Sequence, residues 1–178
     1  MQTNSSVFLG DKFYNREHLN FILFDVLNAD SVTKYDYFSD HDKEALQMYI
    51  DATDQFAKEY LFPHLVEMDR KQPELIEGRI RVHPIHKDIM RKSGENGWIS
   101  ILANKKVGGL QMLSVFSTAA SFILGAANYS GCVFAGLTMG AAHLIETFAD
   151  KKYHDVYLPK MFAGEWQGTM ALTEPGAG

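Results

Sequence analysis

Cysteine is almost missing from this chain: Cys132 is the only one in 178 residues. No disulfide can form within the chain, and a reducing, cytoplasmic setting is the expectation. A surplus of positive charge is missing too. Lys and Arg total 17 against 22 Asp and Glu, for a formal net charge of -5. A phosphate-backbone binder would carry a basic stripe, so nucleic acid is not an expected partner. The opening MQTNSSVFLGDKFYN has no basic stretch leading into an apolar run, so no signal peptide is expected. Internal repeats and low-complexity segments are absent as well.

The longest absence is of charge itself. From Val107 to Ile145 there is no Asp, Glu, Lys or Arg. A membrane hairpin would need about 20 apolar residues per crossing. This run is interrupted by Gln111, Ser114, Ser117, Thr118, Ser121, Asn128, Ser130, Thr138 and His143. Two buried core helices, about Met112 to Ala127 and Ser130 to Ala149 with a break at Asn128, are the expected reading, and no membrane span.

What is present is the composition of a globular domain, 46% hydrophobic and 22% charged, with enough chain to bury a core. Helical periodicity starts at Arg16 to Asn28, with Leu19, Ile22, Leu23, Val26 and Leu27 on one face. Ser39, with Asp42 three residues on, has the pattern of a capped helix start. Behind it Leu46, Tyr49, Ile50, Thr53, Phe56, Ala57, Tyr60 and Leu61 recur at helical spacing until Pro63, which is expected to end or kink the helix. Glu67 to His83 reads as a surface connection with a short strand at Arg79 to Val82. A helix from Pro84 to Gly94 and another from Lys151 to Phe162, capped by Asp150 and ended by Gly164, complete the helical part.

The character then changes in GEWQGTMALTEPGAG. Thr169 to Thr173 is expected to be a strand, and Glu174-Pro175-Gly176 a turn. On residues alone two readings stand. The segment is a surface strand with a Thr that caps its own turn, or a strand end whose amides and hydroxyl face an acceptor-rich ligand such as a flavin ring. Elsewhere, His83 and His86 lie three apart, but a metal would need further ligands, and a surface loop is preferred. His143 is expected to be a hydrogen-bonded core or interface residue. Cys132 is expected to be a small apolar core residue.

Met170 to Gly178 (MALTEPGAG) resembles the signature of acyl-CoA dehydrogenases, in which Thr-Glu-Pro is followed by a small residue, Ala, Gly, Ser and Asp. Tyr157-Leu158-Pro159-Lys160-Met161 and Gly164-Glu165-Trp166 are similar to the stretch leading into that signature. Gly136 to Ala142 (GLTMGAA) resembles the helix that lines the acyl pocket, and Gly97-Trp98 and Gly108-Gly109 resemble the family's Gly-Trp and Gly-Gly loop. The likeness runs from about Asp42 to Gly178. The first forty residues, with Tyr14 and Phe21-Ile22-Leu23, resemble the extended N-terminus of a subgroup that includes 3-methylmercaptopropionyl-CoA dehydrogenases.

The resemblance implies a mainly α fold, a helical bundle with the first strand of a β-rich middle domain at its C-terminus. It divides the chain into an extension (1–38), a helical domain (39–165) and the start of a β domain (166–178). It implies FAD-dependent α,β-dehydrogenation of an acyl-CoA thioester, as in fatty acid metabolism. Electrons would pass to an electron-transfer flavoprotein or a similar acceptor, and the enzyme would be a homo-oligomer. Leu172 would give its amide, and Thr173 its amide and hydroxyl, to the flavin. Cys132, Ala135, Gly136, Met139 and Gly140 would line the acyl cavity, with Met170 near the flavin and thioester. The family's catalytic base is a glutamate of a C-terminal helical domain. No residue here is assigned that role, Glu174 included, so the 178 residues alone are expected to be inactive. The alternatives are a non-catalytic flavin-binding relative acting on nucleic acid or as a scaffold, and an acyl-CoA oxidase.

Overall fold

The computed structural model describes residues 13–171, 173, 175 and 176. They form a mainly α-helical protein whose one sheet is a two-stranded hairpin. They fall into two compact units, one of residues up to Ile85 with Met112–Gly131, the other of His86–Gln111 with Cys132 onward.

In the first unit, α1 (Arg16–Asn20) starts at Asn15, whose side chain accepts from the His18 amide at 2.7 Å. It passes into a π turn, Phe21–Val26. The Leu27 amide reaches back five residues to the Ile22 carbonyl at 2.9 Å. This wider turn rotates later side chains off the α-helical stripe. Of the expected apolar face only Leu23 is fully buried, while Val26 and Leu27 are exposed.

α2 (Lys43–Phe56) is capped by Asp42, whose carboxylate accepts from the Ala45 amide at 2.7 Å. The expected cap, Ser39, instead turns its hydroxyl to the Asp36 carbonyl in the 3-10 turn before it. A carboxylate suits the positive end of a helix better than a hydroxyl does. Pro63 does not stop the chain's winding. A π turn (Ala57–Leu61) and a 3-10 turn (Phe62–His64) carry it into α3 (Leu65–Arg70). Proline sits near the start of its short turn, where an N–H would have no partner in the turn. The expected surface connection therefore begins as helix. It continues as a hairpin, with β1 (Glu74–Ile76) antiparallel to β2 (Arg79–Arg81) and Leu75 opposite Ile80. Glu77 and Gly78 turn it with φ of 50° and 74°.

The core of this unit holds Leu23, Leu46, Ile50, Leu61, Phe116 and Ile123, all fully buried. Tyr14 is buried against it and donates to Asp54 at 2.7 Å. Burial, and then the Asp54 carboxylate, push the Tyr14 phenol well above its usual range. Lys58 pairs with the same carboxylate, and Arg16 pairs with Asp51.

In the second unit α4 (Ile85–Glu95) and α6 (Lys151–Phe162) meet through glycine. Gly164 has φ 74°, and a Cβ there would lie 2.3 Å from the Met90 carbonyl oxygen. A Cβ on Gly94 would equally collide with the Ala163 main chain. The core here is Met90, Ile99, Ala135, Leu158, Met161 and Phe162 with smaller neighbours. Asp150 takes the expected position before α6, but its side chain makes no cap bond.

α5 (Ser114–Phe148) contributes to both units, with the expected break at Asn128 (φ -169°, ψ 93°). Asn128 is fully buried. Its amide donates to the Leu61 carbonyl at 3.2 Å, and its oxygen accepts from the Gly131 amide at 3.1 Å, capping the second half. By length and composition α5 is the one helix among the described residues able to cross a membrane. Its buried Ser117, Asn128 and Thr138, and the core residues it supplies, are those of a helix packed in protein.

The expected strand at Thr169 to Thr173 is not formed among the described residues. A strand exists through its ladder, and among the described residues no strand pairs with this segment. Thr169, Met170, Ala171 and Thr173 are exposed and without regular structure, and Pro175 and Gly176 lie in the expected turn. Leu172 and Glu174 lie outside the described residues.

Candidate functional site

Cys132, Ala135, Gly136, Met139 and Gly140 recur at steps of three and four along the second half of α5, so they share one side of it. Their burial differs. Ala135 is packed into the core. Cys132 and Met139 are half-buried, and Gly136 and Gly140 are exposed. A Cβ on either glycine would meet nothing within 4 Å. The two therefore leave a smooth trough one helical turn long, where main chain rather than side chain faces outward.

Two cavities adjoin this helix. A small one of about 160 Å³ is walled by Met139 and Gly140, with Leu102, His143, Glu146 and Phe162. A wider cleft of about 650 Å³ lies beside Ala141 and Ile145 and is closed by Tyr157, Trp166, Gly168 and Thr169. Of the five expected pocket residues, Met139 and Gly140 line the first. Cys132, Ala135 and Gly136 line neither. Met170 is exposed and directly follows Thr169 at the edge of the wider cleft. Thr173 is exposed too.

Two polar residues of this site, Thr138 and Glu146, carried no sequence signal, and a third, His143, did. Thr138 is fully buried. Its hydroxyl donates to the Phe134 carbonyl at 2.7 Å and accepts from the Gly168 amide at 3.1 Å. It thereby ties Gly168 to the helix. Gly168 is required there, since a Cβ would lie 2.4 Å from that of Ala141. Glu146 accepts from the Asn104 amide at 2.8 Å, which fixes the loop over the small cavity. His143 is exposed at the cavity wall. Of the two positions expected for it, core or interface, the helix turns His143 away from the core. A Thr inside a Gly-Leu-Thr-Met-Gly run looks like a neutral filler, because the amide it holds lies thirty residues away.

Burial drives the electrostatics of this stripe. It pushes the Cys132 thiol up to about 11, so the side chain is neutral at physiological pH and packs as an apolar group. Trp166 stacks edge-on to Tyr157 with ring centres 5.7 Å apart, and Lys160 lies 4.4 Å above the indole. This gives the wider cleft a planar, partly exposed aromatic wall with a cation behind it.

Residues 43–165 match the family model for the acyl-CoA dehydrogenase N-terminal domain. Over 124 residues the chain is 30% identical to a 3-methylmercaptopropionyl-CoA dehydrogenase of Ruegeria pomeroyi, covering 70% of this chain and 21% of that protein. Over 145 residues it is 26% identical to the mitochondrial long-chain specific acyl-CoA dehydrogenase of Mus musculus, covering 80% and 29%. A butyryl-CoA dehydrogenase of Syntrophomonas wolfei is 50% identical over 52 residues, which are 29% of this chain and 8% of that one. The chain thus spans less than a third of the length of these relatives. With a matching helical architecture and a family match over most of its length, the chain belongs to the acyl-CoA dehydrogenase family.

Proposed function

We propose that this chain forms the acyl-binding helical side of an FAD-dependent enzyme that dehydrogenates an acyl-CoA thioester between its α and β carbons. The observation that carries this reading is the open Gly136–Gly140 trough beside the cavity at Met139, within the segment that matches the family. An acyl chain needs an apolar channel that orients it without competing hydrogen bonds. Leu102, Met139 and Phe162 provide apolar walls, and Glu146 is engaged by the Asn104 amide.

The donor set of the C-terminal segment fits the pyrimidine edge of a flavin. Thr173, an exposed residue, would bring its main-chain amide and hydroxyl, and Leu172 would add its amide. A flavin held there would supply the acceptor for the hydride of the β carbon. The chain's own part is to hold Gly168 and the residues after it through Thr138, and to exclude water from the acyl chain with its apolar wall. The proton acceptor lies outside the 43–165 match. The 178 residues alone then bind an acyl-CoA and do not oxidise it. In the complete enzyme an electron-transfer flavoprotein or similar protein takes the electrons, and the assembly is a homo-oligomer.

The test is binding of an acyl-CoA to the purified chain, by calorimetry, in wild type and Gly140→Leu. A side chain in the trough is expected to weaken binding at least tenfold, with the helical circular dichroism spectrum unchanged. Equal affinity in both proteins removes the trough from the acyl site. For the complete enzyme, turnover with ferrocenium and none with oxygen marks a dehydrogenase. Peroxide formed from oxygen marks an oxidase.

A further inference from the structure

His64 ends the 3-10 turn Phe62–His64, and Glu67 lies three residues on, in α3. That spacing puts both side chains on one helical face. His83 arrives from the far side of the β1–β2 hairpin. One ligand atom from each of the three lies within 4.8 Å of the others. The His64 and His83 ring centres are 5.5 Å apart. Nε2 of His83 stands 3.4 Å from a Glu67 carboxylate oxygen. We propose that His64, Glu67 and His83 form a binding site for a divalent transition metal of the zinc type.

The donor set is the first argument. Two imidazoles and one carboxylate are a three-ligand zinc set that leaves a fourth position to water. Glu67 is exposed while both histidines are half-buried, so the open position faces solvent. Drawing the three atoms to metal distance takes an inward movement of about 1 Å, within reach of side-chain rotation.

The surroundings are the second argument. The hairpin between α3 and His83 is exposed at every residue of both strands, including Leu75, Ile76 and Ile80. Apolar burial therefore does little to hold this excursion to its helix. A metal clip between residues 64 and 83 supplies that restraint by closing the loop at its base.

Two existing contacts must yield to the metal. Lys71 donates to the other Glu67 oxygen at 2.6 Å. Its side chain is largely exposed, so it can swing into solvent. The Ile85 amide donates to Nδ1 of His83 at 3.3 Å. A metal on Nε2 places the ring proton on Nδ1, so this long bond is given up and the ring turns.

Zinc itself is the probe, titrated into the chelator-stripped chain against a chromophoric competitor, with the melting temperature followed in parallel. One zinc per chain and a rise in melting temperature are expected. His64→Ala and His83→Ala are each expected to weaken binding at least tenfold. Glu67→Gln, at an exposed position, is expected to keep the zinc-free melting temperature and lose the zinc-induced rise. Lys71→Met removes the competing ammonium and is expected to tighten binding. His18→Ala and Cys132→Ser are expected to bind as wild type. The proposal is overturned if no zinc binds. It is also overturned if zinc affinity survives His64→Ala, His83→Ala and Glu67→Gln, or follows Cys132. Cobalt gives a second readout, since a tetrahedral site shows intense visible bands that an octahedral surface ion lacks.

Discussion

The two halves of α5 look alike in composition and do different work. Before Asn128, apolar residues make core: Phe116, Ala119, Ala120, Ile123 and Ala127 are all buried. After it, Ala135 and Ala142 are buried, while Gly136 and Gly140 lie open and Gly140 lines the small cavity. An uncharged helix can thus be a packing element along one stretch and an open surface along the next. Size at each position decides which: bulky residues fill space, and glycines leave it.

Replacing a bulky residue of the first half tests that contrast most strongly. Phe116→Ala is expected to cost about 3–5 kcal/mol, because the ring is fully buried and its cavity cannot collapse. Urea unfolding measures it, and a loss below about 1 kcal/mol would break the distinction.

In the second half, Cys132 reports burial without a mutation. Its thiol is raised from 9.0 to about 11. At pH 8 its alkylation by iodoacetamide is then expected to be about 100-fold slower in the native than in the unfolded chain. The sign for stability follows. Between pH 9 and 11 the folded chain keeps a proton that the unfolded chain has lost, so stability falls as pH rises through that window. Equal labelling rates in the two states would remove the burial.

At the break itself, Asn128→Ala removes the cap on Gly131 and the donor to Leu61. A loss of about 2 kcal/mol is expected in thermal and urea unfolding. Thr138→Val keeps the shape and deletes the acceptor of the Gly168 amide. It is expected to cost about 1–2 kcal/mol and to speed hydrogen exchange at Gly168 selectively.

The smallest effect has the opposite sign. Gly136→Ala is expected to stabilise the chain by about 0.5–1 kcal/mol, since its Cβ meets nothing and a mid-helix glycine costs backbone entropy. Destabilisation there would show that the trough is filled in the folded chain.

Much of this was legible beforehand. The break at Asn128 follows from an amide residue in an uncharged run, and the helix ending before Gly164 follows from glycine. The Pro175-Gly176 turn was equally plain. The helix-capping step at Asp42 was misplaced by three residues, since Ser39 and Asp42 both satisfy a cap pattern and only hydrogen-bond geometry chooses. The exposed faces of Val26 and Leu27 were hidden because a π turn leaves no mark in apolar spacing. For the site, the Gly-rich helix and the terminal motif were visible as words. Thr138 was not, nor was Glu146, because each acts through a main-chain amide distant in sequence.

Local chemistry by itself set the helical class, the helix breaks and membership of the family, since these depend on residues that are neighbours or one turn apart. Tertiary structure alone decided which glycines are crowded and which are open, which threonine holds the C-terminal segment, and that His83 meets His64 and Glu67. Those outcomes depend on distances between chain segments far apart in sequence, and spacing along the chain contains no term for them.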